Sequence, residues 1–335
     1  MKKIIAIILT LALALSMTAC GGNSAPAAEA PAEEAANQTE FKVAIIQQLD
    51  HSSLDEIREA IKAQLTTLAT PSNYTITIEE YNGQNDSTML NQIATDAVAD
   101  GVDMIVPIAT LAAQAAVTAA EGTDLPIVYA AISDPESAGL TGLATVTGVS
   151  DALNTPFILD MMMAAQPDIQ TVGLLYSNSE INSLTPIAEA KAYLEEKGIE
   201  IIEKTGTTVG EIQEATASMV GRVDAVFTPT DNAVMAAEAT VAELLNADGI
   251  PHYTGADSFV LSGAFTTCGV NYTELGTKVA DIAYDILMGG EIGEFVVMDG
   301  GIITVNEDTA EMCGIDYSVF STMANTVNAV NTTVE

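Results

Sequence analysis

The chain predicts an α/β fold arranged as two Rossmann-like lobes with parallel sheets, on three observations. Short apolar runs alternate with helix-period patterns along the body, the mark of successive β/α units. The alternation runs through one round and restarts near Thr171. The two rounds also resemble each other in sequence. Asp103-Met-Ile-Val-Pro-Ile-Ala-Thr110 precedes an alanine-rich helix and Leu125-Pro126, while Asp224-Ala-Val-Phe-Thr-Pro-Thr-Asp231 precedes another and Ile250-Pro251. Two such lobes side by side leave a cleft between the carboxyl ends of their strands, where sheets of this kind bind ligands.

Each element has its own signal. Residues 41–47 (FKVAIIQ) read as the first strand. Ser53-x-x-Glu56 forms a capping box before a helix with Leu54, Ile57, Ile61, Leu65 and Leu68 on one face. Residues 74–81 alternate as a second strand, and Asp86 caps a helix carrying Leu90, Ile93, Ala97 and Val98, closed by Gly101. Residues 104–109 are the third strand, 110–120 an alanine-rich helix, 127–132 the fourth strand, and a fifth lies near 143–149. In the second round residues 171–176 (TVGLLY) form a strand and Ser183 opens a helix ending at Gly198. Residues 199–204 are the next strand, and Thr208-x-x-Glu211 is another capping box. Strands at 224–227 and 252–254 flank a helix over 231–246. Residues 263–270 read as a strand, Asn271-x-x-Glu274 caps a helix with Leu275, Val279, Ile282 and Ile286 on one side, and Gly289-Gly290 stops it. Strand-like pieces follow at 295–297 and 302–305. The last stretch, 321–335, is polar and aperiodic, which predicts a frayed tail.

The charge is extreme, with 46 acidic residues against 10 basic ones and a formal net charge of −36. Such a field repels phosphate backbones and anionic lipid, which argues against nucleic-acid binding and against a basic membrane patch. Two histidines, His51 and His252, no Gly-x-Ser-x-Gly elbow, no His-Glu-x-x-His and no phosphate-cradling Gly-Lys-Ser/Thr loop argue against an enzyme. Cys268 and Cys313 lack metal-ligand spacing and read as one disulfide or two quiet buried thiols. No cofactor and no metal are expected.

The amino terminus carries an address. Lys2 and Lys3 precede an apolar run over residues 4–15, and Met17-Thr18-Ala19-Cys20 places small residues before a cysteine. That order is a secretory signal, too short to span a bilayer as a permanent helix. Its ending resembles a bacterial lipobox, which implies cleavage before Cys20, lipidation of its sulfur and a location on the outer face of the cell membrane. Residues 1–19 are then the signal and 20–40, rich in Ala, Pro and Glu, a flexible stalk.

The body resembles the family of tryptophan/tyrosine ABC-transporter substrate-binding lipoproteins. The match rests on Ile46-Gln-Gln-Leu-Asp-His-Ser-Ser-Leu-Asp55, Ala131-Ile-Ser-Asp-Pro135 and Leu175-Tyr-Ser-Asn-Ser-Glu-Ile-Asn-Ser183. Pro229-Thr-Asp-Asn232, Gly255-Ala-Asp-Ser258 and Gly269-Val-Asn-Tyr-Thr-Glu-Leu-Gly276 continue it in order. The resemblance implies a type I periplasmic-binding-protein fold with a three-crossover hinge, passing between lobes near 150–154, 262–268 and 290–294. One lobe would hold 41–150 plus 268–290, the other 151–267 plus 291–320, with 321–335 as the tail.

The implied function is capture of a small solute, an aromatic amino acid, and closed-state delivery to an ABC permease and its ATPase. A receptor-coupled sensor of the same fold stays open, as does another solute such as a branched amino acid or nucleoside. Polar groups suited to an amino acid stand at the strand-to-helix junctions: Gln48, Asp50 and His51; Thr110; Ser133 and Asp134. The second lobe offers Asn178, Ser179, Asn182 and Ser183; Thr230, Asp231 and Asn232; and Asp257 beside Ser258. The hydroxyl cluster over 177–183 suits the ligand carboxylate, and Asp231 or Asp257 its ammonium. Each is equally an ordinary N-cap, worth about 1 kcal/mol. Tyr176 and Phe259 are candidates for stacking on a ring or for the core.

Overall fold

A computed structural model of the protein describes residues 39–70 and 74–333. The expected signal, Cys20 and the stalk up to residue 38 lie outside the described residues. The first round is β1 (Thr39–Gln47), α1 (Ser52–Ala69), β2 (Tyr74–Asn82), α2 (Ser87–Ala99), β3 (Met104–Ile108), α3 (Thr110–Ala119), β4 (Ile127–Ala130) and β5 (Val146–Ser150). The second opens with α4 (Thr155–Ala165), β6 (Thr171–Tyr176), α5 (Ile181–Lys197), β7 (Glu200–Thr205) and α6 (Val209–Ala217). It continues through β8 (Ala225–Thr228), α7 (Asn232–Met235), α8 (Glu238–Asn246), β9 (His252–Thr254), α9 (Asp257–Leu261) and β10 (Thr266–Gly269). Then come α10 (Tyr272–Leu287), β11 (Val296–Val297), β12 (Ile302–Asn306), α11 (Glu307–Cys313) and β13 (Thr326–Val330).

The strands form two sheets, ordered β11-β5-β4-β3-β1-β2 and β13-β12-β10-β9-β8-β6-β7. Every pairing is parallel except β10 with β12. β3, β4 and β5 are buried along their whole length, as strands covered by helices on both faces must be. In each sheet the strand order reverses once, between β1 and β3 and between β6 and β8. Chain leaving neighbouring strands at such a point diverges to opposite faces and opens a crevice. Among the described residues no helix is long and apolar enough to cross a membrane.

Three local expectations change. The tail is not frayed: a 3₁₀ turn at Ser318–Thr322 leads to β13, which pairs along its length with β12 and ties Thr333 N–H to Leu261 O at 2.8 Å. The strand is short and Val327 is the one large residue it packs on the core, too little alternation to stand out in the sequence. The second passage between sheets falls after β10, at 270–271. The third falls at 298–301, because Val296 and Val297 join β5 and Met298 N–H donates to Ser150 O at 2.9 Å. Cys268 and Cys313 are both free, and burial pushes each thiol up to about 11.

α10 returns to the first lobe and lies against α1 at close range. A Cβ at Gly276 would stand 2.6 Å from Ile57 O and 2.7 Å from Ala60 Cβ, so only glycine lets the two backbones approach this far. Gly276→Val is expected to cost about 1–3 kcal/mol through overpacking, outweighing its small gain in helix propensity. Thermal unfolding should fall by roughly 2–4 °C per kcal/mol. An unchanged melting temperature would mean that α10 shifts off α1 without loss.

Candidate functional site

The two strand-order reversals face each other, and between them lies a cavity of about 30 Å³, room for a water or two. Strained backbone shapes its wall. Ala109 (φ 71°) and Ala131 (φ 55°), which end β3 and β4, both line it in a region that costs a non-glycine residue of order 1 kcal/mol or more. Such strain persists only where the surroundings over-determine it. Here Ala109 N–H donates to Ala130 O at 3.0 Å while Ala109 O accepts from Ala113 N–H at 3.1 Å. Ala109 gives α3 no side-chain cap of its own, and the Gln48 side-chain oxygen accepts from Leu111 N–H in its first turn at 3.0 Å.

The lobes touch directly. Ser133 Oγ and Thr230 Oγ1 share a hydrogen bond of 2.8 Å, and Ser53 Oγ donates to Asp257 Oδ1 at 2.9 Å. Gln48 Nε2 donates to Glu180 Oε1 at 3.1 Å, Thr185 Oγ1 to Asp134 Oδ2 at 2.6 Å, and His51 Nε2 pairs with Asn232 Oδ1 at 3.4 Å. The Ser53–Asp257 bond explains why the expected capping box of α1 is absent. Ser53 is diverted to the other lobe, Glu56 accepts from Thr273 N–H at 2.9 Å, and His51 takes the N-cap position without a side-chain bond.

Of the residues the sequence singled out, His51, Thr110, Ser133, Asn182, Thr230, Asp231 and Asn232 line the cavity. Asp134 and Asp257 make interlobe bonds outside it. Gln48 is wholly buried, its amide spent on Asn85 and Glu180 and its oxygen on Leu111 N–H at 3.0 Å. Asp50 is exposed and faces Arg58. Asn178 and Ser179 are exposed, and Ser179 Oγ pairs with Ser177 Oγ at 2.8 Å. Ser183 Oγ donates to Asp231 Oδ2 at 2.7 Å. The hydroxyl cluster at 177–183 therefore turns toward its own lobe.

Asp231 is likewise occupied: Ser177 N–H reaches Oδ2 at 2.7 Å and Val234 N–H reaches Oδ1 at 2.9 Å, which makes it the N-cap of α7. Residues not predicted for the site also line the cavity: Asp151, Met235, Tyr272 and, beside Ser258 and Phe259, Leu54. Asp151 sits where β5 leaves the first sheet, a place with no helix-start pattern to mark it. Tyr176 belongs to the core of the second lobe.

The cavity and its surroundings are acidic. Burial first, then the charge of Asp231, pushes Glu180 up to about 7. Burial pushes Asp151 up to about 6 against the Ser133 hydroxyl at 3.0 Å, and raises Asp231 and Asp257 as well. Burial lowers His51 to about 4, so it is neutral at neutral pH. Among the described residues lining the cavity there is no Lys or Arg. Three buried polar atoms on its wall have no hydrogen-bond partner: His51 Nδ1, Asn182 Oδ1 and Ser258 Oγ.

A second histidine constellation lies elsewhere. His252 Nδ1 is 3.0 Å from Glu238 Oε1 and Nε2 is 2.8 Å from Thr228 Oγ1, an order that mimics a hydrolytic triad. Thr228 spends its one proton on Leu175 O at 2.9 Å, and all three side chains are fully buried beneath β6 and β8. The hydroxyl has neither a free proton nor access to substrate, and the set is a packing element. Among the described residues no group of His, Cys, Asp and Glu is placed to hold a metal ion.

A family model described as ABC transporter substrate binding protein matches residues 42–325. The chain is 31% identical to a tyrosine-binding protein of Clostridioides difficile (strain R20291) over 316 residues, 92% of this chain and 91% of that one. Among solved structures it is similar to an ABC domain in complex with L-Trp from Streptococcus pneumonia, at 29% identity, with 86% of this chain and 100% of that one covered and a TM-score of 0.80. A ligand-free, open substrate-binding protein with adhesive properties from Clostridium difficile gives 30% identity, 88% and 100% coverage and a TM-score of 0.66.

The titrations of the chamber oppose one another. Stability that depends on neutral His51 is present above 6.5, the ordinary histidine value, and is lost as pH falls through about 4. For Glu180 and Asp151 the folded value is raised. Their contribution is present below 4.5 and 3.8 respectively, and is lost as pH rises through about 7 and about 6. Raised acids outnumber the one lowered base, so thermal stability should fall between about pH 5 and pH 7.5. Glu180→Gln should flatten the upper part of that slope. A wild-type melting temperature that is level or rises across this window would contradict the assignment.

Proposed function

The chain belongs to the ABC transporter substrate-binding protein family, and from that membership we propose that it captures an aromatic L-amino acid between its lobes and hands it to a permease. The observation that carries this reading is the acidic, cation-free cavity at the facing strand-order reversals, with three buried polar atoms awaiting partners. A ligand taken here supplies its own positive charge, which suits an ammonium and disfavours a dicarboxylate or a phosphate. Asp151 and Asn182 Oδ1 receive the ammonium. Asp151 replaces Asp231 in that role because Asp231 is consumed as a cap, and Asp257 because it is held by Ser53 and does not itself line the cavity. Thr110 at the start of α3 and Ser258 Oγ receive the carboxylate, in place of the hydroxyls at 177–183. Phe259, Met235, Leu54 and Tyr272 form the slot for the ring.

Closure accompanies capture. The direct interlobe bonds belong to a closed arrangement, and the greater similarity to the tryptophan-bound relative than to the open one supports that reading. A cavity of about 30 Å³ admits no amino acid until the lobes part. We read the closed surface as what the permease recognises, and Cys20 as the lipid anchor that holds the protein at the outer membrane face.

Two measurements test this. In a thermal-shift screen of the body from Gln38 onward, one compact unit, a ligand at a hundredfold excess over its dissociation constant adds about 2.7 kcal/mol. Tyr, Trp or Phe should raise the melting temperature, and a response confined to nucleosides or branched amino acids would reassign the ligand. Asp151→Asn should weaken aromatic amino-acid binding by about tenfold or more, the scale of a charge-assisted hydrogen bond. Asp257→Asn should weaken it less, and the reverse ranking would return the ammonium to Asp257.

A further inference from the structure

Behind the cleft, the hinge lines a second and larger cavity of about 660 Å³, within the range of small-molecule sites. The three passages between the lobes and the strand ends beside them contribute residues 151–154, 268–270 and 300–302, and the chain at 321–326 flanks it. Its one charged lining group is Asp151. Among the described residues on this wall there is no Lys, Arg or His. Ser321, Thr322 and Asn325 offer neutral polar atoms, while Leu153, Phe157 and Met323 offer an apolar face. A carboxylate without a basic partner, beside apolar side chains, selects a small organic cation over an anion or a sugar.

Two side chains, Asp151 and Tyr272, line this cavity and the cleft alike. Ser133 Oγ holds one Asp151 oxygen from the cleft side, and the same hydroxyl bonds Thr230 across the lobes. The passages move relative to one another whenever the lobes do, so the hinge cavity has a different shape at each lobe angle. A molecule that fills it therefore binds one angle better than another and shifts the balance between them.

We propose that the hinge cavity is a second, regulatory site for a small amine with a short apolar body, and that its occupancy biases lobe closure. Under the reading above, Asp151 also receives the ammonium of the cleft solute, so the amine and that solute meet at one carboxyl group from opposite sides. Phenethylamine, titrated calorimetrically into the body from Gln38 onward, is the probe. Gly300→Phe fills the cavity from an exposed position, where the nearest atom to a new Cβ is Gly269 O at 3.7 Å. Asn325→Lys, also exposed, places a cation on the wall that holds Asp151. One amine should bind per chain, each hinge variant should weaken it by about tenfold or more, and Asn182→Ala in the cleft should leave it unchanged. Adding the amine should alter the small-angle X-ray scattering profile of the wild type and not that of Gly300→Phe, for a coupling in the usual range of about 5- to 150-fold. Absence of binding, binding lost in Asn182→Ala and retained in the hinge variants, or binding with an unaltered profile would each overturn the proposal.

Discussion

Carboxyl groups buried between two lobes without a basic neighbour are the constraint on which this molecule turns. An uncompensated buried charge costs several kcal/mol, so the groups either hold protons or collect donors. Asp231 collects donors: two amides and a hydroxyl from its own lobe. Glu180 collects two side-chain amides, one from each lobe. Asp151 has only the Ser133 hydroxyl from another side chain and is left as the most needy acid on the cavity wall. The wider chain follows the same economy of cations. Arg58 and Lys62 are drawn into a surface group with Asp50, Asp55, Glu59 and Glu80, away from the cleft.

The fold was legible because its signals are local. Asp86, Thr208 and Asn271 cap the helices their spacing predicts, and Glu211 closes its box on Thr208. The site was half legible for a related reason. Residues that end strands on a strand-order reversal reach the cavity, and His51, Thr110, Thr230 and Asn232 are such residues. What a linear pattern does not carry is which partner a polar side chain selects. Ser53 and Glu56 spell a capping box and bond elsewhere; Ser183 spells a helix start and bonds Asp231. Asp151 has no pattern because it belongs to a crossover, whose geometry is set by two sheets meeting. β13 was missed because Val327 alone marks its core face.

The hinge shows how an ordinary topological demand becomes a chemical surface. Three passages must cross between sheets, and the backbone there has no ladder to join. Gly301, at φ 98°, takes a turn that other residues rarely adopt, and the space the passages leave open is larger than the cleft itself in the closed arrangement. Asp151 and Tyr272 stand in the wall between the two spaces, so what happens on one side is felt on the other.

The lobes also bond each other directly across the cleft, which has a kinetic consequence. A hydrogen bond contributes about 0.5–1.5 kcal/mol, and more where a carboxylate accepts it, and five such bonds join the lobes. A solute held between the closed lobes leaves only when these bonds are broken together. Its escape rate then carries the opening of the lobes as a factor, on top of the loss of its own contacts. Such bonds lengthen the stay of every solute alike, and selectivity is left to the contacts that differ between solutes.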